Sequence, residues 1–202
     1  MTNNMLGNAL GLVAEPLRDF FALLASSNGM VWLHAFKRFL HRENPWPTFV
    51  PQWEITLGEH QSPEEYEQAL QLEGKKIDAS AIAAMKKVVC AKTQVTVRLA
   101  SATIEELGFL HGGTTEQVHA AIKMRGGLLC SSEVGPALRL FFKDQPKKEW
   151  LWIAMDAIPV ANNRESIFFL ARINNSLELR GGNGRADRHW NRHFRIVFVV
   201  PV

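Results

Sequence analysis

Cysteine is scarce in this chain. Cys90 and Cys130 are the two present, far apart and with no CxxC pairing, which excludes a disulfide framework and a cysteine-rich zinc site. Long hydrophobic runs are missing as well. Residues 5 to 25 are fairly apolar, but Glu15, Arg18 and Asp19 interrupt them, so no stretch of about 18 apolar residues is available to span a bilayer. The first basic residue is Arg18, so the positive start of a secretory signal is lacking too. A reducing, cytoplasmic setting is the expectation. A strong charge of either sign is also absent. With 23 Lys and Arg against 20 Asp and Glu the formal charge is +3, short of a dedicated nucleic-acid binder, so distribution decides more than the total. No HExxH occurs, and the loop Gly181 to Gly184 lacks the lysine and the serine or threonine of a phosphate-cradling P-loop. No cofactor is expected.

What is present begins with helical periodicity. Leu6, Leu10, Val13, Leu17, Phe20 and Leu24 recur at three and four residues and predict one apolar helix face, with Pro16 kinking it or starting a second segment. Ser26 to Gly29 is a break, after which Val31, Ala35 and Phe39 lie on one side of a second helix and Lys37, Arg38, His41 and Arg42 on the other. Trp32, Phe36 and Leu40 widen the apolar stripe beyond what a lone helix pair buries. The hairpin must dock on its own domain, self-associate or meet a protein partner. Pro45 and Pro47 stop helix formation, which sets an N-terminal helical appendage over residues 1–45 and a domain over 46–202.

Within that domain the helix starts are legible. Ser62, Pro63 and Glu65 form an N-terminal signature, Asp78 is a cap candidate, and Thr103 with Glu106 and Thr114 with Gln117 repeat the capping-box spacing. Val95, Val97 and Leu99 alternate with polar residues in a half-buried strand. From Leu128 on, strands are expected over 137–143, 149–155, 166–172, 175–180 and 194–200, with turns at Asn162–Asn163 and Asn174–Asn175. The first two make the stretch Leu128 to Pro159 a hairpin around a polar turn containing Pro146. The fold class implied is α+β: a curved antiparallel sheet or small β-barrel flanked by helices, with the N-terminal helical hairpin.

Trp53, Ile55, Leu57, Gly58, Glu105 to Phe109, Leu129, Cys130, Glu133 to Pro136, Leu138 to Leu140, Asp144 to Pro146, Glu149 to Leu151 and Ile153 to Met155 stand in an order that resembles a bacterial protein family with no established activity. The resemblance covers Trp53 to about Val199 and implies a shared fold without implying a reaction. The chain departs from the pattern after Pro159, with Ala161, Asn162, Asn163 and Arg164 where a Ser-Asp-Gly-like turn is usual, and its last loop is richer in arginine.

That last loop is the leading site. Arg180, Arg185, Arg188, Arg192 and Arg195 stand against the single acid Asp187, with Trp190 among them. Guanidinium forks suit phosphate oxygens, and an aromatic face suits a base, so the loop reads as a contact for an anionic partner such as single-stranded nucleic acid. The competing reading is a solvated loop. On a helix, His189 and His193 share a face and, with Asp187, offer a metal set for a hydrolase or nuclease. The carboxylates Glu133, Asp144 and Glu149 could do general acid and base work, but with no nucleophile beside them Glu133 reads first as a cap or local partner of Arg139 and Glu149 as a strand entrance. Cys130 reads as a small buried apolar residue. The expectation is a non-enzymatic binding or interaction module, an accessory subunit that meets an anionic partner through Arg180, Arg185, Arg188, Trp190 and Arg192. Its protein partner, or second copy, is met through Trp32, Phe36, Lys37 and Arg38. The alternative is the metal-dependent hydrolase or nuclease.

Overall fold

In the computed structural model, which describes residues 3–41 and 49–201 and the side chains from Ala14 onward, the chain divides into two units, Met1–Thr48 and Phe49–Val202. The first is a helical hairpin of α1 (Asn3–Leu24) and α2 (Gly29–Leu40), and α1 continues through Pro16. The Ser26 hydroxyl donates to the Leu23 carbonyl at 2.6 Å and accepts from the Asn28 N–H, closing the break. Leu23, Trp32 and Ala35 are buried, and the rings of Phe20 and Phe36 meet at 4.8 Å. On α2 the buried residues are Trp32 and Ala35, so Ala35 lies inward as expected while Trp32, rather than Val31 or Phe39, completes that side. The larger rings of Trp32 and Phe36 sit four apart on one face and bury more area than Val31 and Phe39, which remain 49% and 64% exposed. The proline-bearing break at 43–47 lies outside the described residues, as do the side chains of Leu6, Leu10 and Val13.

In chain order the second unit runs β1 (Trp53–Leu57), α3 (Pro63–Leu72), β2 (Lys76–Ile77), α4 (Ala79–Met85), β3 (Val95–Thr103), β4 (Gly113–Thr114), α5 (Thr115–Met124), α6 (Val134–Phe141), β5 (Trp150–Ile153), β6 (Ile158–Val160), β7 (Arg164–Ile173), β8 (Ser176–Asn183), β9 (His189–Trp190) and β10 (Arg195–Val200). The helix starts follow from side-chain caps. Ser62 accepts the Glu65 N–H, Asp78 accepts the Ala81 N–H at 2.7 Å, and Thr114 and Gln117 close a reciprocal box at the head of α5. Thr103 and Glu106 make the same reciprocal pair, but it caps a single turn that a helix does not follow.

The strands form a curled, half-barrel sheet in the order β1-β3-β10-β5-β7-β8-β2, with β6 beside β7, while β4 and β9 make a separate ribbon. Most pairings are antiparallel; β10 with β5 and β2 with β8 are parallel. Both asparagine pairs turn as expected, with positive φ at Asn162, Asn163, Asn174 and Asn175, the conformation that a two-residue hairpin turn requires. Leu151, Leu170 and Leu179 pair across three strands on one face, against which α6 and α4 pack. On the other face Trp152, Phe169 and Arg180 pair across the same strands.

One expected strand is a helix. Residues 137–143 belong mostly to α6, because Val134, Ala137, Leu138 and Phe141 follow a 3.6-residue period that begins before the short apolar run and overrides its apparent alternation. Gly135 lets α6 sit directly on β7: a Cβ there would lie 2.6 Å from the Phe168 ring. The polar segment after α6 is consequently a helix-to-strand connection. Its Gln145 is fully buried, donating to the Glu149 and Leu170 carbonyls and accepting from Arg139.

Candidate arginine and tryptophan interface

Alternation along β5 sends Trp150 and Trp152 to the same face of the sheet, and Phe169 on β7 lies beside them. Trp152 stacks on Phe169 at 4.2 Å between ring centres, and it crosses β8 where Gly182 leaves room, since a Cβ there would come within 2.5 Å of the indole. Trp190 meets Trp152 edge-on at 5.0 Å. Its indole N–H donates to the Thr115 hydroxyl at 2.8 Å, and the Thr115 N–H donates to the Arg188 carbonyl, so the loop between β8 and β10 is tied to the start of α5.

Arg188 occupies the space this leaves. Its guanidinium carbon lies 4.0 Å from the Trp152 ring centre and 3.9 Å from that of Trp190, with one N–H donated to the Asn183 carbonyl at 2.6 Å. Two indole faces hold the cation in place of a counter-ion, a geometry that desolvation strengthens. Among the described residues no carboxylate pairs with it, and burial pushes its pKa down to about 10, which leaves it charged at neutral pH. Trp150 forms the outer edge of the cluster at 43% exposure, 5.4 Å from Phe169 and 6.5 Å from Phe194. Lys147 and Lys148, exposed just before it, meet no carboxylate among the described residues.

The other expected contacts are distributed differently. Arg180 is engaged by Asp78 at 3.3 Å and Glu178 at 3.0 Å, and Arg185 by both oxygens of Asp187 at 2.9 Å. Arg195 lies between Glu106 and Glu149 at 3.8 and 3.9 Å. Arg192 is exposed, and among the described residues its side chain meets its neighbour His193 at 3.0 Å. Trp190 is fully buried with its faces already covered, so it is no platform for a base, whereas Trp150 is 43% exposed. The signal for Trp150 was its spacing of two from Trp152. Nothing local in the sequence marks Thr115 or Phe169 as parts of the same cluster.

The metal set is not assembled. Residues 189–190 are strand and 191–194 a turn, so His189 and His193 share no helix face, and Asp187 is committed to Arg185. Among the described residues no group of three His, Cys, Asp or Glu is placed to hold a metal ion. Trp32, Phe36, Lys37 and Arg38 belong to the first unit, where Trp32 is buried, Phe36 is 39% exposed, and Lys37 and Arg38 lie exposed in the last turn of α2.

Glu133 and Arg139 do not converge with Trp150 either. Both are buried on the α6 side of the sheet and do not pair with each other. Glu133 accepts from the Gly58 N–H and the Tyr66 hydroxyl at 2.7 Å and from the Ala91 N–H at 2.8 Å, tying four segments together. Burial, and then the Glu133 carboxylate, push the Tyr66 hydroxyl well above the usual phenol range. Arg139 donates to Gln145 and to the Phe142 carbonyl at the end of its own helix, and burial pushes its pKa down to about 10. Burial likewise pushes the Cys130 thiol up, and burial followed by Glu133 does so for Cys90, so both stay protonated at neutral pH. Compared with protein-family models, curated proteins and solved structures, the chain matches none of them.

Proposed function

We propose that this chain is a binding module whose aromatic and arginine face takes an anionic partner, single-stranded nucleic acid being the class that uses both chemistries. The observation that carries this reading is Arg188, a cation held between two indoles with no carboxylate partner among the described residues. Beside it, half-exposed Trp150 offers a ring for stacking, and Lys147, Lys148 and Arg192 supply a basic rim. Arg180, Arg185 and Arg195 spend their charge on neighbouring acids and position the face instead. The second contact, with protein, is assigned to the apolar surface of the N-terminal hairpin.

The test is fluorescence anisotropy with a labelled oligothymidylate at low salt, read again as salt rises. Binding should weaken steeply with salt, Arg188→Ala should lose about tenfold in affinity, and Trp150→Ala a similar factor, as single stacked bases are worth ~1–3 kcal/mol. Absence of binding at low salt, or indifference to both substitutions, removes the nucleic-acid reading.

A further inference from the structure

The sheet ends on one side at β1, which pairs with β3 and with no other strand among the described residues. Alternate N–H and C=O groups of an edge strand face away from the sheet, a template for one more strand. Along this edge runs an open groove of about 650 Å³ between β1, α3 and α6. Its wall on the sheet side is Glu54, Ile55 and Thr56, and its rim carries Leu72 at 88% and Phe141 at 52% exposure. A strand added at β1 sends every second side chain toward that groove, which is the arrangement by which edges recognise extended peptides: ladder bonds supply affinity and the groove supplies selectivity.

Charge states which peptide. The chain as a whole is +3, yet residues 59–73 hold Glu59, Glu64, Glu65, Glu67 and Glu73 with no lysine or arginine. The lysine that lines the groove, Lys143, is engaged by Glu73 at 3.4 Å, and Glu54 by Arg98 at 3.2 Å, while Glu59 is exposed and meets no cation among the described residues. A second copy paired edge to edge would bring two such acidic helices together, which repulsion disfavours. We propose that the outer edge of β1 takes an extended, basic segment of a partner protein as an added strand, with apolar side chains entering the groove below α3 and α6. This contact is separate from the arginine and tryptophan face, so its outcome is independent of oligonucleotide binding.

The probe is a short fluorescent peptide of alternating lysine and valine, tested on the full chain at low salt. It should bind with amide shifts in the nitrogen-15 spectrum clustered on residues 53–57. Methylating its alternate backbone nitrogens should cost about tenfold or more, since the ladder donors are lost. The double variant Glu54→Gln with Glu59→Gln, checked for an unchanged melting temperature, should lose roughly fivefold while oligothymidylate binding stays as it was. Equal binding by a glutamate and valine peptide, indifference to the methylation, or shifts mapping away from β1 would each overturn the proposal. So would sedimentation showing a two-copy particle that the probe splits.

Discussion

Glu133 shows how much one side chain organises here. It is a carboxylate at 1% exposure with three donors, and the donors come from segments far apart in sequence. Glu133→Ala leaves two backbone N–H groups and a phenol without acceptors and should cost ~3 kcal/mol, read as a lower urea midpoint. Tyr66→Phe removes one bond and leaves the others, so ~1 kcal/mol is expected. If the two variants lose equal stability, the carboxylate is not the hub. His119 gives a residue-level pH dependence. Its Nε2 is buried without a hydrogen-bond partner among the described residues, and burial, then the Lys123 charge, push its pKa below the usual histidine value, with Asp156 opposing. A depressed folded pKa means stability that is full above the unfolded value of about 6.5 and lost as pH falls toward the folded one. The urea midpoint should therefore drop between neutral pH and mildly acid solution, and His119→Asn should flatten that slope. An identical slope in both proteins would assign the pH dependence elsewhere.

At the scale of elements, α6 is the most informative piece. It packs face-on against β7 because residue 135 has no side chain, and Gly135→Ala should cost ~2 kcal/mol through collision with Phe168. A neutral effect measured by chemical denaturation would mean that the ring moves aside freely. The same element marks the limit of what the chain disclosed in advance. Helix starts were legible wherever a cap is local, as at Ser62, Asp78 and Thr114, and so were strands with flanking asparagine turns, such as β7 and β8. Residues 137–143 misled because an apolar run of that length satisfies both periods, and what separates them is that Arg139 is buried along with its neighbour Leu138 instead of alternating with it. The candidate interface was half legible for the same reason. Arg188 was one of five arginines in a basic patch, and which of them would be cancelled by acids depended on Asp78, Glu106 and Glu149, contributed by the α4 cap, the turn after β3 and the connection into β5. Trp190 and Trp150 are the same residue type, and only the packing tells the anchor from the edge.

On the whole molecule, the two units present unlike surfaces. The hairpin exposes Phe21 at 65%, Phe39 at 64% and Leu40 at 62%, while no helix among the described residues is long and apolar enough to cross a membrane. If this surface meets a second copy, the sedimenting mass should rise with concentration, and Phe21→Ser with Phe39→Ser should hold it at one chain. A mass that stays at one chain throughout would remove self-association through this surface. The sheet of the second unit has a bearing on assembly of another kind. Its two ends are unequal: β1 offers five residues, whereas β2 offers two, Lys76 and Ile77. Fibre growth by strand addition is a head-to-tail process and needs a usable edge at both ends of every subunit. A far edge only two residues long gives the next copy little to pair with, so the topology that leaves the outer side of β1 open also disfavours fibre growth through it.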